Sequence, residues 1–302
     1  MAQPLTRLRR VNPSNVLTLL QFTVLTEFIL MGNLLDCEVA HPLGRSKSAN
    51  DWNFRDLKAY NIRIVYQDSA TFFGVQDLPP PGVDNDIVNA QEVTNAQHEE
   101  TFQLLHAMHE AMAAASDDKS IIGDFANHLF RILHYTNMAA GRFLRTRKTL
   151  YFFSCSEERD MEIDACIMED IELEGTEIVL LIQGDKRDID SCASEPGPQL
   201  IAHAIAAFSM NNDTIMQNHS ANPLSSKVMP GITMTHTAPT FYKIPVTCDL
   251  EHAVYLGIHP LQETVVFAHR PVVPRYGYGA GMKPLDNRGI ILSCYEAFKQ
   301  FI

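Results

Sequence analysis

The apolar run Ile178-Val179-Leu180-Leu181-Ile182 leads straight into Gln183-Gly184-Asp185-Lys186. A short run of this kind, rich in β-branched residues, reads as a strand buried on both faces. Charges at the end of such a strand are costly to bury unless they are partnered, so the junction marks a candidate site. Upstream, Glu162-Ile163-Asp164-Ala165-Cys166-Ile167 reads as a second short strand, with a polar turn over 169–176 between the two. Downstream, Glu195-Pro196-Gly197-Pro198 closes a loop and an apolar helix follows over 199–210.

The rest of the chain follows the same reading. Residues 1–35 are expected to be helical and 36–53 an exposed connection. Ile62-Arg63-Ile64-Val65-Tyr66 alternates as a strand does. Leu78-Pro79-Pro80-Pro81-Gly82 is a firm break, and it divides an N-terminal accessory segment, 1–82, from a main domain, 83–302. Phe102, Leu105, Met108 and Met112 fall at helical spacing within 96–115. Ser116-Asp117-Asp118 caps a second helix over 120–135, whose Ile121, Phe125, Leu129 and Leu133 share one face. A strand is expected at 150–153, paired strands at 232–235 and 241–246, a short helix at 249–256, a strand at 264–268 and a closing helix over 287–301. Three consecutive strands between helices imply an α+β (mixed α/β) architecture with an antiparallel element.

Composition changes this picture in three places. A hydrophobic content of 46% and a charged content of 20% fit a globular protein with a sizeable core. The net charge of −12 is opposite in sign to that of most nucleic-acid binders, so such a role must rest on a local patch. The dense basic run Arg142-Phe143-Leu144-Arg145-Thr146-Arg147-Lys148 is the candidate patch, and a solvated hairpin explains it equally well. Six cysteines carry no C-x-x-C pair, and Cys155 and Cys166 fall in expected buried strands; both facts favour a reducing, intracellular compartment, cytoplasmic or nuclear. Arg7, Arg9 and Arg10 precede an apolar stretch over 16–31, but Gln21 and Glu27 interrupt it. It reads as a buried helix packed on the core, not as a membrane anchor.

From 120 to 235 the order helix, three strands, helix, strand resembles the core of the PD-(D/E)XK nuclease superfamily. In that family an acid opens the second strand and (D/E)-x-K lies on the third. Asp164 matches the first position, Lys186 matches the lysine, and Gln199 opens the helix where some exonuclease-like branches carry a glutamine. The chain as a whole is also similar to a group of uncharacterised proteins from mushroom-forming fungi. The resemblance implies a Mg²⁺- or Mn²⁺-dependent phosphodiester hydrolase acting on nucleic acid. Asp164 is then a metal ligand, Lys186 the group that positions water or steadies developing charge, and Gln199 a contact to a metal-bound water or phosphate. Asp124 is an outer carboxylate, and Arg142, Arg145, Arg147 and Lys148 are the phosphate-binding strip.

The pattern departs at one position. Acid and lysine two apart share a strand face, but two before Lys186 stands Gly184. Three resolutions are open: a bulge that turns Asp185 inward, a carboxylate supplied from elsewhere such as Glu195, or a site without chemistry. The last makes the protein a nucleic-acid- or protein-binding module on a nuclease fold. Other clusters carry less. His98, His106, His109 and Glu110 lie on a helix that reads as solvated, with no H-E-x-x-H. Tyr276-Gly277-Tyr278-Gly279-Ala280-Gly281 reads as a flexible loop, and no Walker, G-x-G-x-x-G or G-x-S-x-G motif is present.

Overall fold

The structure is a computed structural model that describes residues 46–113, 119–171, 175–185, 196–217, 222–274 and 276–302, with the backbone alone at 119, 120 and 185. It is a mixed α+β fold, with one seven-stranded sheet and eight α-helices among the described residues. The helices are α1 (Phe54–Ala59), α2 (Ser69–Phe73), α3 (Asn85–Asn89), α4 (Glu99–Ala113), α5 (Lys119–Ile132), α6 (Gly197–Gln217), α7 (Cys248–Leu256) and α8 (Leu285–Phe298). The strands are β1 (Ile62–Tyr66), β2 (Arg142–Ser154), β3 (Glu157–Ile171), β4 (Gly175–Asp185), β5 (Ser226–Thr235), β6 (Ala238–Thr247) and β7 (Thr264–His269). None of the described helices is long and apolar enough to cross a membrane. The apolar stretch over 16–31 lies outside the described residues.

Across the sheet the strands run β1-β7-β6-β5-β4-β3-β2. The β1/β7 and β4/β5 pairs are parallel and the others antiparallel. The carboxyl ends of β1, β4, β5 and β7 therefore lie along one edge of the sheet. Helices cover both faces. On one face Phe125, Leu129 and Phe130 of α5, Leu133 just beyond it, and Leu292, Tyr295 and Phe298 of α8 pack on Leu180, Ile182, Met234 and Phe241. On the other, Leu200, Ile201, Ile205 and Phe208 of α6 pack on Leu181, Cys166, Ile244 and Val266. Leu180 and Leu181 are both fully buried, one in each cluster. Burial on both faces explains why β4 is apolar without alternation.

Three expectations are corrected. The triple proline does not separate a domain. Ile62–Tyr66 pairs in register with β7, and the described residues belong to one compact unit. The proline run is instead a connection between α2 and α3. Residues 46–53 are not simply exposed, because Ala49 and Trp52 are buried and Trp52 stacks on Tyr60 with ring centroids 5.2 Å apart. Cys155 lies in the β2–β3 turn at φ 52°, not inside a strand. Cys166 is buried as expected, and Cys155, Cys166, Cys248 and Cys294 are free thiols; Cys37 and Cys192 lie outside the described residues.

The glycine-rich run is pinned rather than loose. The Thr237 hydroxyl accepts the Met282 N–H at 3.0 Å, and the Tyr278 hydroxyl donates to the Ala238 carbonyl at 3.0 Å. At Gly281, with φ 52°, an added Cβ would come within 2.1 Å of the Thr237 Oγ1, so the close approach of the two backbones requires glycine.

Candidate functional site

Asp164 owes its position to a break in side-chain parity shared by two strands. On β3, Met161 and Ile163 face the α6 cluster, whereas Ala165 and Ile167 face the α5 cluster. On β2, Leu144 packs against the α5 cluster while Leu150 and Phe152 face the α6 cluster. The switch falls where the β2/β3 register passes over Arg147 and Asp164, and Arg147 takes a left-handed φ of 50°. Irregularities of this type re-aim a side chain and increase local twist. The β3/β4 ladder also begins only at Ala165 and Ile182, so Asp164 stands where the two strands part.

At that parting the Asp164 carboxylate takes the place of a ladder partner. Its Oδ2 accepts the Gly184 N–H at 2.8 Å and the Gln183 side-chain amide at 3.0 Å. Gln183 is 3% exposed, and its Oε1 is buried without a hydrogen-bond partner. The sequence places Gln183 in the junction but gives it no role; its signal is an amide at the end of a wholly apolar run.

Gly184 pairs with Met234 and faces α5. A Cβ there would meet the Ile122 Cγ2 at 3.0 Å, its Cδ1 at 3.2 Å and the Asp164 Oδ2 at 3.3 Å. Position 184 thus lies on the side of the strand that approaches Asp164, and α5 fills the space with an isoleucine. Among the described residues no three His, Cys, Asp or Glu side chains gather as a metal ion would need. Lys186 and Glu195 lie outside the described residues, as does the side chain of Asp185, whose backbone pairs with Thr235.

The other named residues are dispersed. The Gln199 amide donates to the Asn50 carbonyl at 2.6 Å, tying α6 to the segment before α1. Asp124 is exposed on α5. The basic run is the first half of β2, the edge strand of the sheet, which forms a hairpin with β3. Arg142 is engaged across the strands by Glu169 at 2.6 Å. Arg145 is exposed and lies over the Phe143 ring, Arg147 is exposed, and Lys148 is partly buried. Burial pushes the Cys166 thiol up to about 12 against the opposing pull of Lys148 and Arg145. Those two cations therefore border the strand that carries Asp164. On α4, His106 and Glu110 are both about half exposed with 3.5 Å between them, as expected for a solvated helix. Set against known proteins, the chain matches no family model, and no curated protein matches its sequence.

Proposed function

We propose that this protein is a nucleic-acid-binding module on a PD-(D/E)XK-like core whose metal chemistry has been lost at position 184. The observation that carries the reading is the contact of Ile122 with Gly184: the space for the motif's second carboxylate holds two methyl groups instead. The order α5, β2, β3, β4, α6, β5, with β4 and β5 parallel, supports the family likeness. The placement of Asp164 at the parting of β3 and β4 supports it too. In this reading Asp164 has become structural, a fixed acceptor that shapes the strand ends. Arg145 and Arg147 on the edge strand supply phosphate contacts that an acidic chain otherwise lacks.

The competing reading is a working Mg²⁺- or Mn²⁺-dependent nuclease, with Asp164, Asp185 or Glu195 and Lys186 at its centre. It is favoured by the register that sets Asp164 beside the end of β4. Titration calorimetry with Mn²⁺ separates the two. The module reading expects no binding heat in the micromolar range from the wild-type chain. A saturable heat that Asp164→Ala abolishes would restore the enzyme.

A further inference from the structure

The edge formed by the carboxyl ends of β1, β4, β5 and β7 carries a second feature besides Asp164. Tyr66 ends β1 and is 48% exposed. Arg270 follows β7 directly, is exposed, and places its guanidinium over two rings, 5.6 Å from the centroid of Tyr66 and 4.6 Å from that of Tyr278. Tyr278 is held from below: its hydroxyl donates to the Ala238 carbonyl and lies 2.9 Å from the Thr240 hydroxyl. Two residues earlier, Tyr276 is 84% exposed at φ 55°. A tyrosine as exposed as Tyr276 gains little from burial, and the loop that bears it is pinned two residues on at Tyr278, which lies under Arg270.

We infer that Tyr66, Arg270 and Tyr276 form a stacking platform for the bases of single-stranded nucleic acid. The inference rests on the nucleic-acid reading above and narrows it to unpaired strands. Exposed aromatic faces with an interleaved guanidinium bind unstacked bases whatever their sequence. A duplex keeps its bases stacked and offers no such faces. The platform also lies on the edge of the sheet where Asp164 meets Gly184. At about 4.8 Å per strand, four strand spacings separate β1 from β4, or roughly 19 Å, a distance a few nucleotides span. Stacking further accounts for how a chain of net charge −12 binds a polyanion, since it draws little on phosphate neutralisation. The salt dependence should accordingly be shallow, because few phosphates are contacted and each adds only about −0.7 in log K per log salt.

The test is anisotropy of a fluorescein-labelled dT12 oligonucleotide with the full chain in EDTA, so that cleavage plays no part. Tyr276→Ala and Tyr66→Ala should each weaken binding about 5- to 150-fold, the range for loss of one base–aromatic stack, and Arg270→Ala should weaken it as well. Tyr66→Phe should bind as wild type does, which excludes a role limited to the hydroxyl. A hairpin duplex of equal length should bind more weakly than dT12. Wild-type affinity in both alanine variants of tyrosine, with loss confined to Arg145→Ala and Arg147→Ala, would overturn the platform and leave the nucleic-acid reading standing. Equal affinity for duplex and single strand would also overturn it. No binding by the wild-type chain would overturn both.

Discussion

Removing the Asp164 carboxylate asks whether that group serves the fold or a reaction. In Asp164→Ala the Gly184 N–H and the Gln183 amide lose their acceptor, at 2.8 and 3.0 Å respectively. Both donors sit in buried residues, and Gln183 already holds one buried oxygen without a partner. Hydrogen bonds to a charged acceptor contribute about 1.5–3 kcal/mol each. Asp164 itself is partly exposed, so solvent recovers part of the loss. The net cost of Asp164→Ala is then about 2–4 kcal/mol. Asp164→Asn retains a carbonyl acceptor and should lose about 1 kcal/mol. Urea unfolding in EDTA at neutral pH reads both, provided the slope with denaturant is unchanged. A carboxylate kept for catalysis behaves in the opposite way, because active-site groups are held at the expense of stability. If Asp164→Ala proves as stable as wild type or more so, the structural role assigned to Asp164 is wrong.

Other perturbations follow from the same contacts. Gly184→Ala must displace Ile122 by a few tenths of an ångström and should cost about 1 kcal/mol in the same urea assay. Gly184→Glu combined with Ile122→Ala makes room for a second carboxylate, so Mn²⁺ should raise the melting temperature of the double variant and not that of wild type. His269 is 3% exposed between Phe72 and Phe73, its Nδ1 is 3.0 Å from the Gln67 carbonyl, and burial lowers its pKa. The folded state therefore binds the proton less well than the unfolded chain. Stability should be full above about pH 6.5 and fall as the pH drops below it, and His269→Gln should flatten that slope in urea midpoints taken at pH 7.5 and 5.5. Arg288 is 1% exposed and donates to the carbonyls of Met282, Ile87 and Ala90, joining α8 to α3. Arg288→Lys cannot reach all three, and thermal melting should show a loss of about 2–4 kcal/mol.

Much of this fold was legible because its elements obey strong local rules. The pattern of Ile121, Phe125 and Leu129 marked α5, and the unbroken run 178–182 marked a strand buried on both faces, as the two core clusters show. The small helices were overlooked although their caps are written in the chain. Asn53 and Asp56 form a capping box at α1, and Asp68 accepts the Thr71 N–H at the start of α2. Such helices are too short for periodicity to register. In the sequence the three prolines outweigh the strand signal at 62–66 and set 1–82 apart as an accessory segment. The parallel pairing of β1 with β7 spans some two hundred residues of chain, and no local pattern reports it. At the site, the sequence pointed to Asp164 and to the anomaly of Gly184. The occupation of that corner by Ile122, and the joint parity switch at Arg147 and Asp164, arise from register between strands and from helix docking. Gln199 was drawn into the site by family likeness, and its amide is engaged by the Asn50 carbonyl instead.

The most direct test of the central claim is a time course of anisotropy for fluorescein-labelled dT12 mixed with excess wild-type protein in Mg²⁺. A binding module that has lost its chemistry should give a prompt rise to a plateau that stays level for hours. A plateau that decays as the strand is cut, and that holds level with Asp164→Ala, would contradict the account and return the protein to the metal-dependent nucleases.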